Sequence, residues 1–191
     1  GRNIGGYLEK LEKDYTLIKK IKPIFAKEGS RTVKYEIIDN YFNFWFRFIY
    51  KYKSAIEIEN YEFVKEIVKR DFSVYSGKFL EKYFIEKLKF TNNYSNIGTY
   101  WEKANQNEID IVAINNLEKK VLIGEVKINL KKIDLEILKQ KAKKLEKELS
   151  GYEYEYLAFS LDDMWDCQNR FWVPTESKLL FKDKLISVFE I

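Results

Sequence analysis

The stretch EIDIVAINNLEKKVLIGEVKI, residues 108–128, decides the fold of this chain. Its two ends, Glu108–Ile114 and Lys120–Ile128, are short apolar runs rich in valine and isoleucine, which favour β-strands. Between them stands Asn115-Asn116, a pair that is typical of a turn. The stretch therefore predicts two consecutive strands that can pair through this turn.

Three charged residues interrupt these strands: Asp110 in the first, and Glu125 and Lys127 in the second. Because side chains alternate between the two faces of a strand, Glu125 and Lys127 share a face, and pairing through the turn brings Asp110 close to Glu125. Two carboxylates and a backbone carbonyl, such as that of Val126, offer the oxygen ligands that Mg²⁺ or Mn²⁺ prefers. A metal bound there would lower the pKa of a bound water and offset charge on a scissile phosphate. The pattern therefore predicts a metal site for phosphodiester hydrolysis, in which Lys127 orients the attacking water or stabilises the pentavalent phosphorus. The alternative is that Asp110 points outward from a half-exposed strand.

Composition narrows the chemistry that this chain of 191 residues can carry. It has no histidine and one cysteine, Cys167, which excludes histidine-assisted nucleophiles, histidine-ligated metals and a disulfide framework within the chain. The net charge of +4 is too small to identify a nucleic-acid partner by itself. Because no apolar run is long enough to span a bilayer and no signal peptide is visible, we expect a cytoplasmic protein without membrane association.

The elements around residues 108–128 predict a mixed α+β or α/β architecture. A helix at Asp71–Phe90 precedes a first strand at Asn96–Glu102, and a helix at Leu130–Leu149 leads to a strand that runs through Leu157–Phe159. Further elements are predicted outside this core: a helix or two at Ile56–Lys69, and strands at Phe171–Val173 and Leu185–Phe189.

The predicted helix Leu130–Leu149 has apolar residues on one side and lysines on the other. Its predicted inward residues are Ile133, Ile137, Leu138, Leu145 and Leu149. Its predicted outward lysines are Lys131, Lys132, Lys139, Lys141, Lys143, Lys144 and Lys147. These lysines form a solvated face by default; the alternative is sequence-independent contact with nucleic-acid phosphates, for which Lys139 and Lys143 are the candidates.

The first forty residues predict a helix followed by a hairpin, as at the end of a winged helix. The helix covers Asn3–Asp14, and the two strands lie near Thr16–Lys22 and Thr32–Ile38. Lys19 and Lys20, close to the predicted wing, are further candidates for phosphate contact.

The region from Asp71 to Phe159 resembles the PD-(D/E)XK nuclease superfamily, which includes restriction endonucleases, resolvases and recombination nucleases. The matching segments are Gly77-Lys78-Phe79-Leu80-Glu81, Glu108-Ile109-Asp110, Glu125-Val126-Lys127 and, in the following helix, Gln140. Ile109 stands where the superfamily usually has proline. The resemblance implies a restriction-endonuclease-like core, a further metal contact from Glu81 through water, and a hydrogen bond from Gln140 to Lys127 or to the attacking water.

The segment DNYFNFWFRF, residues 39–48, resembles a second and narrower signature. Asp39 can cap a helix at Tyr41–Tyr52, whose aromatic residues lie on every side and therefore predict a buried helix. The segment is similar to the pattern D-x-F-x-x-F-W-x-R-F in the C-terminal region of archaeal-type P-loop ATPases. Glu108–Val112 and Gly124–Lys127 are similar to the nuclease-like domain of unknown function in the same family. The P-loop motif itself is absent from this sequence.

Together these features predict three segments: a partial winged helix at residues 1–40, an aromatic-rich helical linker at 41–71 and a PD-(D/E)XK nuclease-like domain at 72–191. The expected function is Mg²⁺-dependent hydrolysis of phosphodiester bonds in DNA, with RNA as an open alternative substrate. A second hypothesis is a catalytically silent DNA-binding or regulatory module of a larger P-loop ATPase. In both cases we expect the ATPase domain to precede Gly1.

Overall fold

The computed structural model describes residues 4–160, 178–181 and 184–187. The chain divides into two compact units, Gly1–Ser73 and Val74–Ile191. Helices and a hairpin build the first unit, and a mixed sheet with helices builds the second. Within the described ranges, no helix is both long and apolar enough to cross a membrane.

The first unit begins with a helix and a hairpin, as the sequence predicts. Helix α1 (Ile4–Lys13) is followed by the antiparallel strands β1 (Ile18–Ile21) and β2 (Lys34–Ile37). The register pairs Ile18 with Ile37, so apolar side chains lie opposite each other on one face of the hairpin. The assignment of these elements to a winged helix stays a prediction.

The aromatic segment forms consecutive short helical turns instead of one α-helix. They are α2 (Asn40–Phe44), a π-helical turn (Trp45–Ile49), a 3₁₀ turn (Tyr50–Tyr52) and α3 (Lys53–Glu57). The predicted cap is confirmed, because the Asp39 carboxylate accepts a hydrogen bond of 2.9 Å from the backbone N–H of Phe42. This bond satisfies one of the free donors at the start of α2.

The prediction that the aromatic segment is buried is wrong for most of its rings. Phe48 is fully buried, whereas several others are exposed: Tyr41, Phe42, Phe46 and Tyr50. Neighbouring rings pack on one another along the segment, with 5.1 Å between the ring centres of Phe44 and Phe48 and 5.7 Å between those of Phe46 and Tyr50. Contact between neighbouring rings covers apolar surface without an enclosing core.

One continuous helix, α4 (Tyr61–Phe90), stands where the sequence predicts separate helices ending at Lys69 and beginning at Asp71. The predicted break is wrong because the charged residues at this point, Arg70 and Asp71, pair with each other and are compatible with a helix. The thirty residues of α4 contain no proline, and its glycine, Gly77, does not interrupt it.

A mixed sheet of strand order β3-β4-β5-β6-β7-β8 organises the second unit. Its strands are β3 (Asn96–Tyr100), β4 (Ile109–Asn115), β5 (Lys120–Val126), β6 (Glu153–Phe159), β7 (Lys178–Phe181) and β8 (Lys184–Ser187). Strands β5 and β6 are parallel, joined through α5 (Leu135–Glu148), and the other neighbours are antiparallel. The mixed α+β class and the four predicted core strands are confirmed, while the restriction-endonuclease-like assignment stays a prediction. Strand β8 overlaps the prediction at Leu185–Phe189, and the one at Phe171–Val173 lies outside the described residues.

The two faces of the sheet carry different side chains. One face packs against α4 in a core of Leu80, Phe84, Leu88, Ile111, Ala113, Leu122, Val126, Leu157 and Phe159. Because strand side chains alternate, Ile123 and Glu125 point to the opposite face, where α5 buries its own residues Leu138, Ala142 and Leu145. The prediction that Ile137 points inward is wrong, because that side chain is exposed.

Candidate functional site

Asp110 lies near the start of β4, one residue before the pair that Ile111 forms with Gly124 on β5. Its side chain is buried, so the alternative of an outward-facing acid is not what the structure has. The carboxylate oxygen Oδ2 accepts a hydrogen bond of 2.8 Å from the backbone N–H of Val126. The acid therefore receives part of the compensation that a buried charge needs from the backbone of the neighbouring strand.

Glu125 and Lys127, at the end of β5 and just beyond it, complete a cluster with Asp110. The Lys127 ammonium nitrogen Nζ lies 2.7 Å from Glu125 Oε1 and 3.6 Å from Asp110 Oδ2. The backbone N–H of Lys127 donates to the carbonyl of Phe159 on β6 at 3.1 Å, which continues the pairing of the two parallel strands. The structure thus brings together the three residues that the sequence predicts as neighbours.

A fourth member of this cluster, Lys141, comes from α5. Its Nζ lies 3.1 Å from Glu125 Oε2 and 3.4 Å from Glu125 Oε1. The placement of Lys141 on the outward lysine face is therefore wrong. The cluster holds two buried carboxylates and two partly exposed ammonium groups, and their formal charges balance.

Burial and the neighbouring charges act in opposite directions on this cluster. Burial raises the pKa of the Asp110 carboxyl above its ordinary value, and the negative charge of Glu125 adds to this, while the Val126 N–H and Lys127 lower it. For Lys127, burial lowers the pKa, but the hydrogen bond to Glu125 and the charge of Asp110 outweigh it, so the net shift is upward. Lys127 therefore keeps its proton at neutral pH.

Glu81 projects from α4 and is affected by the charges of the cluster. Burial, followed by the negative charges of Asp110 and Glu108, raises the pKa of Glu81 to about 7. In the described parts of the chain, no three acidic or cysteine side chains are grouped closely enough to hold a metal ion between them. The contact of Glu81 with a metal through water stays a prediction.

The other predicted site residues lie away from direct contact with the acids. Gln140 is exposed on α5, next to Lys141, which is the helix residue that reaches Glu125. On the same helix, Lys139 pairs with Glu136 at 2.7 Å, and Lys143 is exposed. The hydrogen bond from Gln140 to Lys127 stays a prediction.

The two lysines predicted near the wing both lie on β1, in the first unit, and both are exposed. The Nζ of Lys19 is 3.7 Å from Glu36 Oε2, and the backbone N–H of Lys20 donates to Glu12 Oε1 at 3.3 Å. Their contact with phosphates, like that of the α5 lysines, stays a prediction.

Lys141 is the member of the cluster that was not predicted from the sequence, although the sequence contains a signal for it. Lys141 follows Leu138 by three residues and precedes Leu145 by four, and Ala142 is its direct neighbour. Residues at these spacings lie on one side of a helix, and Leu138, Ala142 and Leu145 are all buried. The small Ala142 could have been counted as inward, which would have placed Lys141 at the edge of the buried stripe.

Comparison with known proteins gives a family but no activity. Residues 45–145 match DUF234, described as archaeal and bacterial proteins of unknown function. An uncharacterized protein of Methanocaldococcus jannaschii is 34% identical over 117 residues, which are 58% of this chain and 26% of that protein. The chain thus spans about a quarter of the length of this relative. No solved structure matches the chain. The region that matches the family model, residues 45–145, includes all four members of the cluster.

Proposed function

Because this chain belongs to the DUF234 family of archaeal and bacterial proteins, whose function is unknown, we propose its activity from the geometry of the buried acids. The second unit is a Mg²⁺- or Mn²⁺-dependent nuclease-like domain that hydrolyses phosphodiester bonds of DNA. The observation that carries the proposal is the position of Asp110, Glu125 and Lys127 on one side of two neighbouring strands. Buried charges with perturbed pKa values are typical of functional sites.

The donor set of the acid pair fits a divalent cation. Both carboxylates approach the same ammonium group, at 2.7 Å for Glu125 and 3.6 Å for Asp110, so both already face one positive charge. Carboxylate oxygens are the ligands that Mg²⁺ prefers, and Asp110 and Glu125 would hold it. When bound, the cation lowers the pKa of a water ligand and offsets negative charge on the scissile phosphate.

The chain's own residues supply the rest of the proposed site. Lys127, charged at neutral pH and beside both acids, stabilises the oxygen on which negative charge develops during attack on phosphorus. Glu81 contacts the site through water, and its pKa of about 7 lets it hold or release a proton there. Gln140 orients Lys127 from the neighbouring helix.

The resemblance to the PD-(D/E)XK superfamily and to archaeal-type P-loop ATPases extends this proposal to the longer protein. We propose that residues 72–191 have a restriction-endonuclease-like core, that residues 1–40 are the end of a winged helix, and that residues 41–71 link them. DNA is the proposed partner of residues 1–40 and 72–191. An upstream P-loop ATPase domain is their proposed covalent neighbour.

A plasmid-nicking assay tests the enzymatic proposal. Wild type with Mg²⁺ or Mn²⁺ is expected to nick supercoiled DNA. Lys127→Ala and Asp110→Ala should each lower the rate at least about 100-fold, because each removes one electrostatic contact to the reacting phosphate or to its cation. Lys120→Ala, which removes an exposed lysine at the opposite end of β5, is the matched control and should nick like wild type. If wild type and Lys127→Ala nick equally slowly, the enzymatic proposal fails.

A second candidate function is a silent DNA-binding or regulatory module of the longer ATPase. It is favoured by the two lysines that already balance both acids, and by the lack of a third ligating side chain within the described ranges. This function predicts duplex binding that weakens steeply with salt but does not change when EDTA removes divalent cations. Binding that requires Mg²⁺ would instead support the nuclease proposal.

A further inference from the structure

Glu125 accepts hydrogen bonds from two lysines that come from different elements. Lys127 lies two residues after Glu125, just beyond the end of β5, and also approaches Asp110, at 3.6 Å. Lys141 reaches Glu125 from α5, at 3.1 and 3.4 Å from the two carboxylate oxygens. The lysines are therefore not equivalent: one bridges the acid pair and the other holds one of its members.

Lys127 and Lys141 already neutralise the two carboxylates of this cluster. Two carboxylates and two ammonium groups sum to zero, so a bound Mg²⁺ or Mn²⁺ would leave an uncompensated charge of +2 in a partly buried site. Like charges a few ångströms apart repel strongly when they are shielded from water. A cation that binds Asp110 and Glu125 must therefore displace at least one ammonium group from the carboxylate oxygens.

Lys141 is the ammonium group that can leave more readily. It pairs with one acid, whereas Lys127 pairs with both. Its side chain is 28% exposed, against 40% for Lys127, but it stands on α5, a separate element, so its ammonium group can move without a change in either strand. A lysine has a long flexible stem and a compact charge, which suits it to change partners. Because Lys141 stays attached to α5 after displacement, its ammonium group remains within reach of the acid pair, beside which the proposed cation and its phosphate would lie.

We propose that Lys141 is a cation-gated phosphate-binding residue. It neutralises Glu125 while the acid pair holds no divalent cation, and it turns to a DNA phosphate once a cation has taken its place. This inference rests on the proposed function of the acid pair and assigns a phosphate contact to a residue of α5. It also predicts that the nucleic acid approaches the edge of α5 that carries Lys141.

Titration with MnCl₂ by calorimetry, without DNA, tests the gating half of this inference. Lys141→Met removes the competing charge and keeps the apolar stem, so it should bind Mn²⁺ about 5- to 10-fold more tightly than wild type. Lys141→Arg keeps the charge and should retain wild-type affinity. Lys139→Met is the matched control on the same helix, because it breaks the exposed pair with Glu136, and it should bind Mn²⁺ like wild type.

Binding of a short DNA duplex, measured by fluorescence anisotropy, tests the phosphate-binding half. With Ca²⁺ in place of Mg²⁺, Lys141→Met should bind the duplex more weakly than wild type, and its salt dependence should correspond to about one phosphate contact fewer. In EDTA the two proteins should bind equally, because Lys141 then holds Glu125. A loss of affinity that is equal in Ca²⁺ and EDTA would show an ordinary surface contact and overturn the gating.

Mn²⁺ binding by wild type tests the proposed function, and the difference between wild type and Lys141→Met tests this inference. If wild type binds no Mn²⁺, the metal-dependent function fails and the inference fails with it. If wild type binds Mn²⁺ but Lys141→Met binds it with equal or lower affinity, the inference alone is wrong. Retention of wild-type affinity by Lys141→Arg shows that an altered affinity in Lys141→Met arises from charge and not from misfolding.

Discussion

The two ends of the β4–β5 hairpin both carry acids, but they place them in different surroundings. At the open end, Asp110 and Glu125 are buried and held by a backbone N–H and by lysine ammonium groups. At the turn end, Glu118 is exposed and pairs with the exposed Lys120 at 2.8 Å. Glu153, opposite Lys120 on the neighbouring strand β6, is also exposed. Exposed acids stay hydrated at little cost, whereas buried acids need specific partners.

The open cavity and the buried acids lie at opposite ends of these strands. A cavity of about 610 Å³ lies at the turn end, lined by residues that include Tyr94, Glu118 and Glu155. The acid pair lies at the other end of the same two strands. We place the candidate chemistry with the buried acids. Burying a carboxylate costs free energy, and buried carboxylates with ionic partners are typical of functional sites. Substitutions at the two ends should therefore differ in their effects.

The largest effect is expected at Gly124, the residue before Glu125. A Cβ atom at this position would lie 2.5 Å from Cε2 of Phe159, whose ring is buried in the core under the acid pair. Gly124→Val should therefore lower the free energy of unfolding by about 3 kcal/mol through overpacking, measured by urea denaturation.

Gly77→Ala is the control for this substitution. A Cβ at Gly77 meets nothing within 4 Å, and Gly77 lies inside α4, so alanine should stabilise the protein by about 0.5–1 kcal/mol through its higher helix propensity. Equal stability of Gly124→Val and wild type would mean that the open end of the hairpin is loosely packed, and it would remove the packing difference between the two ends.

A smaller effect is expected from Asp110, because its carboxylate serves the backbone of the neighbouring strand. Asp110→Ala leaves the Val126 N–H without its acceptor and should lower the free energy of unfolding by about 2 kcal/mol. Asp110→Asn keeps an acceptor oxygen and should cost less than about 1 kcal/mol. At the turn end, Glu153→Ala should change stability by no more than about 0.5 kcal/mol. If Asp110→Ala and Glu153→Ala lowered the free energy of unfolding equally, the two ends of the hairpin would not differ as proposed.

The smallest effect is a pH dependence from Glu81. Its pKa is about 7 in the folded protein against an ordinary value of 4.5, so the folded state holds a proton that the unfolded state releases between these values. The contribution of Glu81 to stability is therefore full below pH 4.5 and is lost as pH rises through 7. Relative to Glu81→Gln, wild type should lose about 1 kcal/mol between about pH 5 and 8, after allowance for solvent screening.

Urea denaturation of both proteins in EDTA at several pH values measures this difference. A difference between wild type and Glu81→Gln that stays constant across this pH range would show that neither burial nor the charge of Asp110 acts on Glu81.

Local patterns were sufficient to predict the strands that carry the acid pair. Alternation and the asparagine turn placed β4 and β5, and the spacing of Glu125 and Lys127 put both on one face. Whether Asp110 is buried could not be read from the strand itself, because an acid between apolar neighbours fits both a buried and a half-exposed strand. Its burial depends on how α4 and α5 cover the sheet, which is set by tertiary packing.

The helices were predicted less well, for a related reason. In α4 the apolar residues do not follow one continuous stripe, so periodicity alone suggested a break near Arg70 where the backbone has none. For Lys141, the rotation of α5 against the sheet decides whether the side chain points to solvent or to Glu125. Lysines occur on several sides of this helix, so the sequence does not show which of them points to the sheet. In the aromatic segment, contacts between neighbouring rings replaced the expected burial.

The most direct test of the central claim is a calorimetric titration of the protein with MnCl₂ at neutral pH. If Asp110 and Glu125 share a divalent cation, wild type binds one Mn²⁺ per chain, and Asp110→Asn and Glu125→Gln each abolish this binding. Glu153→Gln, at the turn end, should bind like wild type. Binding that survives in Glu125→Gln, or that is lost in Glu153→Gln instead, would contradict the assignment of the metal to the buried acids.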